Sequence, residues 1–572
     1  MSRRKFSILF VFVILLIHLL CGLQYFNFCD EMFVVTSGQQ IFQHPENVSY
    51  AFMYYLGAFV AGVWNYLFDW LGFYGFRILN AIVATANFYI VYRLLEKHVD
   101  RWYIFAGAIL TMFAETHDLN MAIHHNSLTC LLTTCAACFF YKGLIKNSSR
   151  YLFISGAILG INVFTRLTNV ALVGLIFALV PYSLYNREKG RILVRFIISA
   201  IAGFIVGVMI IIGLMVMIGH YQLFLDVVTM LFGVAKDADS GHGILSILPA
   251  YMQDYRIIAL ISVCTLLIFF TIQSVEEKLH ISRLAICLIT ALLILIPFFY
   301  VYDKIPQVKI WHYYYAIVTI VFAYVLKYYS NKESLVYLST LSILIIYLQP
   351  LGGDFGIGNM HSCSLRLALP FSIGVVGLII DEHKAVLTYK CFSWFFIAVM
   401  MLWGANMMMR HKAWYDFNPE PRWKVTTMPK SPRLNVFLPA DEAKLIDDVV
   451  EEISRLKGKF NSLQTNDMPV FNYITDIRPY LQCTTSDFYS PTMLKIQYSR
   501  AESIYGDELP ILVFSHKLGS DMYHYDKNWN NTECMSPTRR KRYLVHKDFI
   551  VRHHYKEVWR KESFAILLPN MY

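Results

Sequence analysis

Two acidic residues stand side by side at Asp30 and Glu31, directly after an apolar run at 6–26. Adjacent carboxylates at a membrane surface are costly to desolvate unless water, a cation or a basic partner compensates them. A carboxylate held in a cavity open to water has the chemistry of a general base, taking the proton from an incoming hydroxyl. The plainer alternative is that the pair marks the end of a helix in water. Glu115, His117 and Asp118, with His124 and His125, gather carboxylates and imidazoles that could hold a divalent metal or an acceptor. Their spacing matches no standard metal site, so a hydrogen-bonded loop is the simpler reading. Asp354 lies in a glycine-rich segment, GGDFGIGN at 352–359, that could close over a ligand or simply turn between two helices. His361 and Arg366 follow it.

The elements that must position these groups are apolar. Of 572 residues, 56% are hydrophobic, 16% aromatic and only 16% charged, with a mean hydropathy of +0.46. Soluble domains are less apolar and carry about 25% charged residues. Disorder, collagen and a small disulfide scaffold are therefore excluded, and the apolar blocks are too long for a soluble enzyme's core. Residues 410–572 hold 44 of the 90 charged side chains, which marks a polar tail on a membrane protein.

Spans are expected at 6–26, 75–94, 102–117, 126–145, 151–167, 169–186, 193–218, 256–275, 283–301, 310–329, 334–350, 364–381 and 389–409. The first is too long for a secretory signal and reads as an uncleaved helix. Loop charges follow the positive-inside rule with a cytoplasmic N-terminus. Arg93, Lys97, Arg101, Lys142, Lys146, Arg150, Arg187, Lys189 and Arg191 fall inside, whereas the outer loops after 218 carry only Lys236, Lys304 and Lys309. Thirteen crossings place 410–572 outside. Segments 51–72 and 221–235 are read as helices lying in the outer interface, where Tyr and Trp are favoured. In the tail, 440–456 has a helix pattern, and 469–474, 510–515 and 564–568 read as strands, giving a small α/β domain. The expected architecture is an all-α membrane domain at 1–409 with an exported α/β domain at 410–572. Arg539, Arg540, Lys541 and Arg542 could touch anionic headgroups or lie in a solvated loop.

Most of the 11 cysteines sit in apolar spans as small hydrophobes; Cys483 and Cys534 share the outer domain and could pair. No HExxH, P-loop or GxGxxG occurs, which argues against zinc-protease, ATPase and dinucleotide chemistry, and the CxxC at Cys135 and Cys138 lies within an apolar span.

After Asp30-Glu31 come an amphipathic run, TSGQQIFQHPE, then the interfacial segment, then FYGFRILN at 73–80 opening the second span. HHNSL at 124–128 opens the fourth span, which ends in KGL at 142–144. The fifth is glycine-spaced and ends in a basic residue, GAILGINVFTRLTN at 156–169. This order resembles the integral-membrane glycosyltransferases of the C superfamily (GT-C), nearest in layout to the lipid A aminoarabinose transferases and protein O-mannosyltransferases. One departure stands out: a Lys-Pro-Pro element common in that group is replaced by NVSY at 47–50.

The resemblance implies transfer of a sugar from a polyprenyl-phosphate donor to an acceptor hydroxyl on a lipid, glycan or protein, at the outer face and with inversion. Asp30 would be the base, with Glu31 beside it. Basic groups must hold the leaving lipid phosphate; Arg77, Arg166, Lys236, Arg256, Lys304, Lys309, His312 and Arg366 are candidates. His124, His125, Asn126 and Asp354 join them as substrate-binding candidates. No cofactor is implied beyond a possible divalent metal, membrane lipids are partners, and nucleic acid is not. The rivals are a transporter or flippase of lipid-linked saccharides, which would bury charge at the bilayer midplane, and a surface-glycan polymerase or ligase. Short loops favour a bacterial inner membrane.

Overall fold

The computed structural model describes residues 2–115, 121–186, 190–236, 244–279, 309–353, 356–382, 387–409, 421–515, 537–561 and 564–570. The membrane part is helical: α1 (Arg3–Cys21), α2 (Asp30–Gln40), a 3-10 stretch Pro45–Tyr54, α3 (Tyr55–Phe68), α4 (Gly72–Leu95), α5 (Arg101–Glu115), α6 (His125–Ile145) and α7 (Ser149–Asn162). A second 3-10 stretch, Leu167–Ala178, leads into α8 (Leu179–Asn186) and α9 (Gly190–Met217). Then come α10 (Tyr221–Lys236), α11 (Ile244–Leu279), α12 (Ile310–Tyr328), α13 (Glu333–Leu348), α14 (His361–Glu382) and α15 (Leu387–Met409). Twelve of the thirteen expected spans overlap these helical segments, and the run 283–301 lies outside the described residues. Among the described residues, seven helical segments are long and apolar enough to cross a membrane by length and composition. The chain is an integral membrane protein.

Packing explains why apolar blocks became particular helices. Along α1 the buried positions Phe6, Phe10, Ile14, His18 and Cys21 recur at helical spacing. Phe6 and Phe10 stack on Tyr92 of α4, while Ile8, Phe12 and Leu20 remain exposed on the opposite face. Such a face is stable only against lipid. The glycine spacing of 156–169 has an equally local cause. A Cβ on Gly156 would fall 2.0 Å from Ala200 O, and one on Gly203 would fall 2.0 Å from Phe153 O. Helices α7 and α9 therefore touch backbone to backbone, the contact small residues permit in a bilayer.

Segment 51–72 forms the end of the first 3-10 stretch, then α3 and a short 3-10 turn, Asp69–Leu71; it is separated from α4 by Gly72 at φ 56°. At Gly72 a Cβ would crowd Arg433 O and Pro432 O at 3.0 Å, so the chain reverses there against residues 432–433.

The tail contains α16 (Ala440–Leu456), α17 (Val470–Thr475), α18 (Pro491–Tyr505), α19 (Pro537–Arg552) and strands β1 (Leu463–Thr465), β2 (Ile511–Ser515), β3 (Tyr555–Lys561) and β4 (Phe564–Pro569). The sheet order is β1-β2-β4-β3, with β1 parallel to β2 and the other pairs antiparallel. Segment 469–474, expected as a strand, is instead the helix α17. A six-residue apolar run has the same sequence signature in either state. Here Asn472 Nδ2 donates to Leu463 O and Ile477 O (both 3.0 Å), and Asp476 closes the turn at φ 56°. The basic run Arg539, Arg540, Lys541 and Arg542 begins α19 rather than forming a loop. Cys483 is buried and donates to Thr485 O; Cys534 lies outside the described residues.

The tail is fastened to the ends of α1 and α4. Tyr25 N donates to Phe437 O and Phe437 N to Leu23 O, both at 2.8 Å. Tyr74 N donates to Asn435 Oδ1, and Arg422 Nη1 to Cys21 O. One apolar cluster runs from Phe33 and Tyr55 through Leu434 and Val436 to Val513 and Ile566 of the sheet. Helices α2 and α3 and the tail thus share one apolar cluster.

His546 makes that tail acid-sensitive. It is 3% exposed, hydrogen-bonded to Tyr498 and Ser486, and burial, with Arg542 nearby, pushes its imidazole down to about 3. Unfolded, it takes a proton near 6.5. Between those values the unfolded chain binds more protons, so stability is present above about pH 6.5 and falls as the pH drops towards 3. Hydrogen exchange on the full-length protein should show tail peptides losing protection between about pH 7 and about pH 4.5, with His546→Asn flattening the change. A pH-independent wild-type tail would contradict this.

Candidate functional site

The acidic pair divides into two roles. Between α1 and α2 the chain turns through Tyr25 at φ 55°. Asn27 Oδ1 then accepts from Cys29 N (2.9 Å) and Asp30 N (2.8 Å), capping the first turn of α2. Glu31 points inward: Oε2 accepts from Asn27 N and from Arg77 Nη2, each at 2.8 Å, and Oε1 accepts from Ala122 N at 2.6 Å. Arg77 Nη1 donates to Gly22 O (2.7 Å) and Gln24 O (3.1 Å), and its guanidinium lies over the Phe73 ring. The two side chains are 0% and 1% exposed.

Glu31 and Arg77 are therefore corrected from reactive and phosphate-gripping roles to a buried lock. It ties the exit of α1, the start of α2, α4 and residue 122 together. Asp30, one residue earlier, is exposed at the N-terminus of α2, where the helix dipole favours its anion.

The lock also fixes the next cluster. Ile123 N donates to Phe76 O, and Asn80 Nδ2 to Met121 O, so 121–123 is pinned beside Glu31. His124 follows at the N-cap of α6, its Nδ1 bonded to Ser127 Oγ at 2.8 Å. His125 stacks on Tyr54 with ring centroids 4.0 Å apart, and a Cβ on Gly57 would meet its backbone at 3.2 Å. Asn126 O accepts from Cys363 Sγ of α14. Arg166, 8% exposed, lies within electrostatic reach of His125, and Arg366, 5% exposed, within reach of His124. Arg366 also covers the Phe88 ring. Among the described residues, Arg166 Nη1 and His125 Nδ1 are buried without a hydrogen-bond partner. A buried guanidinium donor with nothing to bond is costly unless an anion arrives.

The remaining candidates are elsewhere. His312 is buried, Nε2 bonded to Asp254 Oδ1 (3.1 Å) and Nδ1 accepting from Lys309 N (2.9 Å). Asp254 Oδ2 in turn accepts from Ile357 N at 2.8 Å. Both imidazole nitrogens are engaged, so His312 is corrected from a phosphate ligand to a pin between α11, α12 and the glycine-rich segment. Lys309 and Arg256 are exposed. Lys304, His117, Asp118 and Asp354 lie outside the described residues. Among the described residues, no three His, Cys, Asp or Glu side chains cluster closely enough to hold a metal.

Sequence reading missed Asn27, Tyr54 and Asp254. Asn27 carried a signal, an Asx residue three positions before an acidic helix start. Tyr54 and Asp254 act through partners remote in sequence, which no local pattern reveals.

No family model matches the chain, and no curated protein does. Among solved structures, ArnT from Cupriavidus metallidurans bound to undecaprenyl phosphate aligns over 99% of this chain and 98% of its own, with a TM-score of 0.51 at 11% identity. The same protein in the apo state aligns over the same shares with a TM-score of 0.37 and 12% identity. The Archaeoglobus fulgidus oligosaccharyltransferase in complex with Zn and sulfate aligns over 88% of this chain and 68% of its own, with a TM-score of 0.43 and 12% identity. Over 99% of its length, then, this chain has the fold of ArnT.

Proposed function

We propose that the protein is a glycosyltransferase that moves a sugar from a polyprenyl-phosphate donor to an acceptor hydroxyl at the outer face of the membrane. Asp30 takes the hydroxyl proton, the oxygen attacks the anomeric carbon from the face opposite the phosphate, and that centre inverts. The bond to the lipid phosphate breaks, and the phosphate leaves with the electron pair. Arg166 holds the negative charge that develops. The N-terminus is cytoplasmic, the tail lies outside, and a bacterial inner membrane is the setting.

The observation that carries this reading is Arg166: a buried cation with an unused donor, within electrostatic reach of His125. The ArnT fold supports it, as that protein binds undecaprenyl phosphate in its crystal. The test uses purified protein and a radiolabelled polyprenyl-phosphate sugar. Arg166→Met is expected to weaken lipid-phosphate binding by roughly ten- to a hundredfold, the loss of one charge-assisted hydrogen-bond set. Transfer should proceed from the lipid-linked sugar and not from a nucleotide sugar. Efficient use of the nucleotide sugar, or undiminished lipid binding by Arg166→Met, would overturn the assignment.

A further inference from the structure

A cavity of about 820 Å³ opens between α2, α3 and the tail, within the size range of ligand sites. We propose that it is a saccharide-binding site, separate from Asp30, that holds the non-reacting part of a glycan acceptor. Only the word acceptor rests on the transferase reading.

The lining chemistry selects the ligand. Gln39, Gln40, Gln43, Asn47, Asn65 and Gln482 place carboxamides around the cavity. Carboxamides offer donors and acceptors without charge, which suits hydroxyl groups. Gln40 is only 6% exposed, and its Oε1 has no partner among the described residues; the same holds for Gln39 Oε1 and Asn65 Oδ1. Three carbonyl acceptors left over in one place are satisfied by a ligand rich in O–H donors.

The two arginines of the cavity wall are already paired. Arg433 pairs with Asp476 at 3.7 Å, and Asp476 also accepts from Gln39 Nε2 at 2.9 Å. Arg478 reaches Glu508 at 3.4 Å and lies over the Tyr505 ring. This is no phosphate grip like the one around Arg166. Tyr66, 81% exposed on the cavity wall, presents an aromatic face for the apolar side of a sugar ring.

The backbone explains the site's existence and its distance from the chemistry. A Cβ on Gly38 would lie 2.8 Å from Ala61 Cβ, so α2 and α3 cross closely and bring Gln39, Gln40 and Asn65 together. Nine helical steps along α2 separate Asp30 from Gln39, about 14 Å along the axis. Residues 31–38 between them are buried, so the two sites open separately. A single sugar cannot touch both, whereas a chain of several units can reach around the helix.

The test takes the full-length protein in detergent micelles and an array of neutral, uronic-acid and amino-sugar oligosaccharides, with unglycosylated peptides of similar length. Neutral oligosaccharides should be retained. Gln40→Met keeps the volume and removes the acceptor; it should weaken binding about tenfold, while the melting temperature holds or rises because an unpaired buried amide is gone. Tyr66→Ala, at an exposed position, should weaken binding several-fold without affecting the fold. Asp30→Asn should bind like wild type, so an error in the transferase reading would leave this result standing. Absence of oligosaccharide binding, binding indifferent to both Gln40→Met and Tyr66→Ala, loss in Asp30→Asn, or preference for peptides would each overturn the proposal.

Discussion

Asp30→Asn is expected to lower sugar transfer by about 10²- to 10⁴-fold, the range a positioned general base supplies, while the protein inserts and folds as before. The two halves of that expectation have different origins. Asp30 is exposed at the first turn of α2, and its backbone N–H is already capped by Asn27 Oδ1 at 2.8 Å. Replacing the carboxylate with a carboxamide leaves that cap intact and gives up a helix-dipole interaction of about 1 kcal/mol. Asparagine cannot accept a proton from the acceptor hydroxyl, so the loss should fall on kcat with KM for the lipid donor little changed. Single-turnover transfer with a polyprenyl-phosphate sugar, read beside a melting curve, separates the two. Wild-type turnover in the variant would remove Asp30 from the reaction.

The second large effect concerns stability. Breaking the Glu31–Arg77 pair from one side, by Arg77→Met or Glu31→Gln, is expected to cost about 3–5 kcal/mol, because each leaves an uncompensated charge in a site excluded from water. The double variant should recover much of that loss, since a buried pair often contributes little beyond a well-packed apolar replacement. Thermal unfolding of all four proteins in one detergent gives the coupling energy directly. Single variants as stable as wild type would show that the lock is not holding α1, α2 and α4 together. The double variant also separates stability from chemistry. If Glu31 acts only by fixing Asp30, transfer in the refolded double variant should fall through misplacement of Asp30, and acceptor KM and kcat should both change.

Hydropathy alone located helices at 12 of 13 apolar runs, because a helix that faces lipid must be apolar whatever its partners are. The tail helix at 440–456 was equally readable, from acidic first turns and apolar residues at three- and four-residue spacing. Segment 469–474 was not, as Asn472's bonds to Leu463 O and Ile477 O decide its state and neither lies within the segment. The glycines of 156–169, read as part of a resemblance, proved to be where α7 meets the backbone of α9.

The sequence by itself determined that this is a membrane protein with a polar tail, and that Asp30 and Glu31 head the segment after the first span. It could not say which carboxylate faces water. That was decided when Arg77, 46 residues on, and Ala122, 91 residues on, closed around Glu31. In the same way only the folded chain separated Arg166, with an unused donor, from His312, whose nitrogens are both taken. Composition and spacing report what each stretch needs from its surroundings. Which polar group is satisfied and which is left to bind a ligand depends on contacts between residues far apart along the chain, and these exist only once it has folded.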